Sequence, residues 1–398
     1  MATGPAPAEP SRRWEILTGL VILGLFWGGL LAGELALRFF TEARFGIATT
    51  VERSAKFYIE PETGLRRIRP NVQMGRIRVN NLGFRGPDVA AAKPMGTFRL
   101  AFLGASTTFS AEVPDGRTWP ELTGRALQRA AGDSCRIEVI NAGQPGYTMR
   151  RVRTLWTHHV APLRPDLVLM MPGDVDANLE RVAEAQGIAT TAPRPSWLAR
   201  HSALMALLEK NFVTVRLQRN ALSRDGKISF DPVQAAVPFE LALRDFVRTI
   251  AGSGATVALI TPPSRLRASQ SDEEKVEAGV TAVYFMPYVA LDDLIAARDA
   301  YNAATRHVAR QEGTILVGAE DRIPADERHF VDSAHLTAAG SAVQAARVAE
   351  GLLASPRLRA AAQRAGCRFG SGEAGGGAGS VAALQQAGGG RLVTPTVV

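Results

Sequence analysis

A hydroxyl, an imidazole and a carboxylate stand at positions in this sequence where they could form one reaction centre. Ser106 lies two residues after Gly104 in FRLAFLGASTTFS, at the end of an apolar run from Leu100 to Leu103. That run reads as a buried strand ending in a tight turn, which presents the hydroxyl rigidly. Free amide N–H groups at the turn and the following helix start can meet a developing negative charge. A serine becomes a nucleophile near neutral pH only with a base in reach, and histidine, with an ordinary pKa of ~6.5, is the usual one. FVDSAHLTAAG supplies it: Asp332 precedes His335 by three residues. Across a turn, that offset lets the carboxylate fix the ring's tautomer and stabilise the imidazolium formed in acyl transfer. His329 is the rival base, equally spaced from Asp332, and ranks lower because it precedes the acid in ERHFVD. Taken singly, each piece also fits an ordinary turn; together they point to acyl chemistry.

The third piece is VINAGQPGYTM, in which a strand ending at Ile140 runs into Asn141-Ala142-Gly143. A glycine there lets backbone approach a substrate and direct an N–H at an oxyanion, so Gly143 is a candidate donor beside the Ser106 N–H.

These residues need a scaffold, and apolar runs supply one from Phe98 onward. Strands are expected at Arg99 to Leu103, Arg136 to Ile140, Asp166 to Met171, Thr256 to Ile260 and Thr314 to Val317. Helical patterns fall between them at Trp119 to Ala131, Thr148 to Val160, Phe239 to Ala251 and Leu291 to Gln311. Thr337 is placed to cap a last helix from Ala338 to about Leu353. Strands alternating with helices predict a parallel sheet covered on both faces, with the ligand at the carboxyl ends of the strands, where Ser106 falls. Residues 46–97, including NNLGFRGPD, read as a lead-in packed on the domain edge. Residues 98–357 read as the catalytic domain, interrupted by a helical insertion at 178–238 that could cap the site.

The termini differ in kind. Residues 1–15 are expected to be disordered. Ile16 to Gly33 carries no charge, and its eighteen residues would cover roughly 27 Å of a ~30 Å hydrocarbon core as a helix. We therefore expect a transmembrane and interfacial helix over 16–40, with Glu34 and Arg38 as a helical pair and Phe39 and Phe40 as anchors. No A-x-A-like site follows, which favours an uncleaved anchor over a signal peptide. Arginines flank both ends of the span, so charge leaves its orientation open. Residues 368–398 are Gly-rich and read as a disordered tail.

Composition narrows the function classes. The formal net charge of +8 arises from 46 Lys and Arg against 38 Asp and Glu. The basic residues are scattered, without a block or an aromatic-interleaved stripe, so no nucleic-acid partner is expected. The adjacent His158 and His159 diverge on a helical pattern, no metal-ligand motif is present, and neither metal nor cofactor is expected. Cys135 and Cys367 have no CxxC spacing, and because Cys367 borders the tail they are expected not to pair.

GAST after the first strand, NAGQPGYT after the second and DSAHLT before the last helix, in that order, together resemble the SGNH or GDSL family of serine esterases. The resemblance covers about residues 80–355. It implies an α/β, three-layer flavodoxin-like fold with about five parallel strands. By position it makes Ser106 nucleophile and oxyanion donor, Gly143 a second donor, His335 the base and Asp332 its orienting acid. It also implies hydrolysis of an acyl ester, with acetyl the expected acyl group and a carbohydrate, including cell-surface polysaccharide, the expected substrate class. Membrane-anchored members place the domain on the extracytoplasmic side, with lipid as the partner of the N-terminal helix. The same triad would serve a polysaccharide O-acetyltransferase, and an inactive carbohydrate-binding module on the same fold is a further alternative. Two positions depart from the family pattern. Ala105 replaces the usual Asp, and MMPGDVDAN puts Val175 where an asparagine would donate to the oxyanion. Asp174 has the wrong charge for that role, whereas Asn178 carries a suitable amide.

Overall fold

The computed structural model describes residues 12–45, 56–173, 175–190 and 195–370. The expected disorder at residues 1–11 and 371–398 lies outside the described residues, as does Asp174.

The central sheet has five parallel strands: β5 (Thr97–Gly104), β6 (Arg136–Asn141), β7 (Leu167–Met171), β8 (Thr256–Ile260) and β9 (Ile315–Val317), in spatial order β6-β5-β7-β8-β9. Alternate side chains on each strand face opposite ways, and both faces are apolar. Ala101, Leu103, Val168, Met170, Val257 and Leu259 pack on one side with residues of the Pro232–Gly252 and Leu291–Gln311 helices. Phe98, Leu100, Phe102, Leu169 and Ile260 pack on the other with the Trp119–Ala131 and Ala338–Ala354 helices. The result is three layers. A fully buried Leu, Phe or Met contributes about 1.5–3 kcal/mol relative to leaving it exposed, so two such faces dominate the stabilisation.

The lead-in forms two short antiparallel pairs, β1 (Phe57–Ile59) with β2 (Arg66–Ile68) and β3 (Gln73–Met74) with β4 (Ile77–Arg78). Arg85 then makes an antiparallel bridge to Asn141 at the end of β6. Asn80 organises the NNLGFRGPD turn by accepting the N–H groups of Leu82 and Phe84 on its side-chain oxygen at 2.9 and 3.0 Å.

A third apolar cluster lies among the helices. Leu179 and Ala183 of the Val175–Ala185 helix pack with Ala282, Val283 and Leu294. The helical region after β7 also contains Trp197–His201 and Ala203–Gln218, and a second excursion after β8 contributes Asp272–Ala278 and Val280–Phe285.

The N-terminal helix runs Arg12–Phe45, longer than the expected 16–40 and already helical within the expected disordered 1–15. Its Arg13–Thr41 stretch contains an 18-residue window of mean hydropathy 2.1 and is long and apolar enough to cross a membrane. Glu34 and Arg38 form the expected helical pair at 2.5 Å.

The expectation that the cysteines stay apart is overturned: Cys135 and Cys367 form a disulfide with their Cα atoms 5.3 Å apart. The chain just beyond the last helix does not trail away. Phe369 meets Phe98 edge to face, the Gly370 N–H donates to the Ala130 carbonyl and Ser134 Oγ donates to the Arg368 carbonyl. These contacts hold Cys367 beside Cys135, and both are buried.

Candidate active site

Strand β5 delivers its chain to Gly104, and a four-residue helix, Ser106–Phe109, follows with Ser106 as its first residue. The helix sits hard against its surroundings. A Cβ on Gly104 would lie 2.1 Å from Thr108 Oγ1, and one on Gly143 would lie 2.4 Å from the Phe109 backbone nitrogen. Both glycines are therefore required by close approach.

So short a helix leaves its last carbonyls without partners in the helix. Side chains from three separate segments supply them. Trp119 Nε1 donates to the Thr107 carbonyl at 3.0 Å, Asn141 Nδ2 to Thr108 at 3.0 Å and Arg85 Nη1 to Phe109 at 2.9 Å, with a further bond from Arg85 to Ser110. Arg85 is itself buried and paired with Asp115 at 2.9 Å. The lead-in, the first helix after the serine and β6 thus clamp the turn that carries Ser106. Sequence reading missed this clamp. Its one visible signal was a charged residue inside the apolar, turn-rich NNLGFRGPD.

The Ala338–Ala354 helix, followed by one further helix, Pro356–Arg364, positions the remaining groups. Thr337 caps it, its Oγ1 accepting the Gly340 N–H at 3.1 Å, and the turn before it carries Asp332 and His335. Asp332 Oδ1 accepts the backbone N–H groups of Ala334 and His335, each at 2.8 Å, which fixes the carboxylate and leaves Oδ2 for the His335 ring at Nδ1, also 2.8 Å. On the other edge of that ring, Nε2 lies 2.8 Å from Ser106 Oγ. The structure therefore brings together Ser106, His335 and Asp332. It keeps His329 elsewhere, on Asp326 at 2.6 Å.

Electrostatics couple the pair. Burial opposes charge on His335, but the hydrogen bond and charge of Asp332 outweigh it, aided by the Glu112 and Asp176 carboxylates, and raise its pKa to about 9. Burial would likewise raise Asp332, yet His335 and the two backbone N–H groups hold it down at about 2. Arg298 is the nearby cation: burial lowers its pKa while the charges of Asp176 and Asp332 oppose that, and its Nη1 donates to Ser264 Oγ at 2.8 Å. Glu112, Asp176 and Arg298 are further groups that sequence reading did not single out.

The expected oxyanion groups are placed unequally. Ser106, opening its helix, has no carbonyl a turn earlier in that helix to occupy its N–H. The Gly143 N–H donates to Asn141 Oδ1 at 3.1 Å, so Asn141 bridges the Gly143 loop and the Ser106 helix. Val175 begins the Val175–Ala185 helix and packs against the apolar clusters on either side of it. Asn178 is buried, and its side-chain oxygen accepts from Arg181.

Beside the serine, Gly104, Ala105, Tyr147, Met171, Pro172 and Gly173 are among the residues that line a narrow cleft. A more open groove of about 420 Å³, lined by Gln218, Leu222 and Val276 among others, includes none of the triad residues. His159 pairs with Glu60 at 2.9 Å. Among the described residues no group of three or more His, Cys, Asp and Glu side chains is arranged to hold a metal ion.

A model of the GDSL-like lipase/acylhydrolase family matches residues 102–343, which include all three triad residues and Gly143. No curated protein matches the chain. Among solved structures, Axe2, an acetylxylan esterase from Geobacillus stearothermophilus, is 16% identical with a TM-score of 0.38, over 64% of this chain and 93% of that one. LAE5, an alpha/beta hydrolase enzyme from the metagenome of Lake Arreo, Spain, is 20% identical with a TM-score of 0.40, over 65% of this chain and 96% of that one.

Proposed function

The chain belongs to the GDSL-like lipase/acylhydrolase family, whose members are hydrolases acting on ester bonds, and from that premise we propose a membrane-anchored serine esterase that works through an acyl-serine intermediate. The observation that carries the mechanism is the continuous relay from Ser106 Oγ through His335 to Asp332, with 2.8 Å at each step. Neutral His335 accepts the hydroxyl proton at Nε2 as Ser106 Oγ attacks the ester carbonyl carbon. The oxyanion that forms takes hydrogen bonds from the Ser106 N–H and from the Gly143 N–H, which it shares with Asn141 Oδ1. His335 then returns the proton to the departing alkoxide oxygen, leaving the acyl group on Ser106. In the second half, water gives a proton to His335 as it attacks the acyl-serine. The acid is released and the serine regains its proton.

The narrow cleft beside Ala105 argues against a long acyl chain, so the acyl group is read as a short one, acetyl. Glu112 and Asp176 support a hydroxyl-bearing alcohol portion such as a carbohydrate. Both carboxylates act on His335, which places charged acceptors near the nucleophile and its base. A disulfide persists in oxidising compartments, so the Cys135–Cys367 bond supports a domain on the extracytoplasmic side of the membrane. Treatment with a fluorophosphonate followed by peptide mapping tests the reading. We expect a single adduct on Ser106 and none in Ser106→Ala, together with loss of p-nitrophenyl acetate hydrolysis. Hydrolysis undiminished in Ser106→Ala would remove the proposal.

A further inference from the structure

Two helices outside the active site leave an apolar surface uncovered. Trp197, Leu198, Leu208, Phe212 and Val215 are 64, 52, 53, 73 and 54% exposed. The last three recur at helical spacing along one side of the Ala203–Gln218 helix, and contiguous apolar surface of this kind marks an interaction site.

The N-terminal helix says what covers it. Glu34 accepts Ser202 Oγ at 2.8 Å and the Ala203 and Leu204 N–H groups at 3.0 and 2.9 Å, and so caps the Ala203–Gln218 helix from outside. Arg38 Nη2 donates to the His201 carbonyl at 2.5 Å. The junction between the two helices is thus fixed at Glu34, the first charged residue after the uncharged run from Ile16 to Gly33. Because that run nearly matches the ~30 Å hydrocarbon core, Glu34 falls at its boundary, and the Trp197–Gln218 segment starts at the same depth. A tryptophan at that level suits the bilayer interface, and the exposed Arg200, Arg216 and Arg219 suit anionic headgroups. Glu209, the acid on the same helix, is engaged with the Ser196 N–H at 2.9 Å.

Resting on the reading of Arg13–Thr41 as a membrane span, we infer that the Trp197–His201 and Ala203–Gln218 helices form a second membrane contact, lying in the headgroup region of an anionic bilayer with Phe212 and its apolar neighbours toward the acyl chains. The catalytic domain is then held against the membrane surface at two points, and does not swing on a single tether.

The test uses the full chain in phosphatidylcholine/phosphatidylglycerol vesicles, with an environment-sensitive fluorophore on Phe212→Cys or, as a remote control, on the fully exposed Met95→Cys. Both native cysteines are in the disulfide, so each variant carries one free thiol. Interfacial helices bury their apolar face about 5–10 Å below the headgroups, so lipids spin-labelled near the carbonyl should quench the probe at 212 at least about twice as strongly as at 95. Equal quenching at the two sites in protein that resists carbonate extraction would overturn the inference while leaving the span intact. A probe at 212 shielded from water but unquenched by lipid would also overturn it, showing that protein covers the patch. Extraction of the unmodified chain by carbonate would instead remove the span and the inference together.

Discussion

Ser106 Oγ and His335 Nε2 lie 2.8 Å apart although 229 residues separate them in the chain. The distance is set at both ends by backbone rather than by the two side chains. Ser106 is carried on a helix whose carbonyls are held by Trp119, Asn141 and Arg85, and His335 on a turn pinned by Asp332 before a Thr337-capped helix. Removing the imidazole should therefore cost activity without disturbing the serine. His335→Gln is expected to lower kcat for acetyl ester hydrolysis by at least about 1000-fold with an unchanged circular dichroism spectrum. Retention of most of the activity would assign the base elsewhere.

Asp332 controls the pH at which that base works. Only neutral His335 can take the serine proton, and its raised pKa of about 9 means that kcat/KM should climb with pH, with a midpoint above the ordinary histidine value. In Asp332→Asn, burial of the ring is no longer offset by the paired carboxylate. The midpoint should fall, and kcat should drop by about 10⁴-fold because the tautomer is no longer fixed. Stability follows the same linkage. The raised His335 pKa contributes fully below ~6.5 and is lost as pH rises through about 9, whereas the lowered Asp332 pKa contributes above ~3.8 and is lost as pH falls through about 2. The melting temperature of Asp332→Asn should thus lie furthest below that of the parent between about pH 4 and 6.5, with the gap narrowing by pH 10. A gap independent of pH would mean that the pair is uncharged.

How much of this the sequence disclosed follows from which signals are local. Strands buried on both faces, such as Leu167–Met171, are unbroken apolar runs, and the Trp119–Ala131 and Leu291–Gln311 helices fall where periodicity places them. The Pro232–Gly252 helix begins before the expected Phe239 and contains Pro238. Its first turns survive because Asp231 caps them through the Val233 and Gln234 N–H groups and Pro232 sits at the helix start. The Thr148 to Val160 pattern likewise hid a wider π turn at Trp156–Val160. Asp272–Ala278 was missed although Ser271 and Glu274 form a capping box legible in the sequence. Side chains that act across the fold left weaker traces. Nothing near Arg85 says that its partners are the carbonyls of Phe109 and Ser110, and nothing near Cys367 says that the chain turns back toward Cys135.

That disulfide closes a loop spanning a sequence separation of 232 residues, from the edge of the sheet to the end of the last helix. Cross-linking so long a loop restricts the unfolded chain, and breaking it should cost about 2–5 kcal/mol. Cys135→Ser/Cys367→Ser, or reduction by dithiothreitol, is accordingly expected to lower the urea midpoint while leaving kcat within about twofold, since neither sulfur lies at the triad. An unchanged midpoint after verified reduction would show that packing around Phe98 and Phe369 already fixes the C-terminal segment.

Arg85 presents the opposite case, a residue distant in sequence from the serine whose loss should be felt in turnover. Its guanidinium is buried, and it satisfies carbonyls that the Ser106–Phe109 helix cannot satisfy for itself while neutralising Asp115. Arg85→Met keeps much of the stem but leaves Asp115 without its cation and the Phe109 carbonyl without its donor. Stability should fall by about 1–3 kcal/mol, the range for leaving a buried carbonyl without its donor, because Asp115 is half-exposed and stays hydrated. The folded fraction, measured well below its melting temperature, should still bind substrate with a similar KM but turn it over at least about 10-fold more slowly, because a serine displaced by a fraction of an ångström loses its alignment with His335. Arg85→Lys can reach one carbonyl but not the fork of acceptors, and should fall between Arg85→Met and the parent in both measurements. Stability loss in Arg85→Met with an unchanged kcat per folded molecule would confine Arg85 to holding the fold and exclude it from aligning the nucleophile.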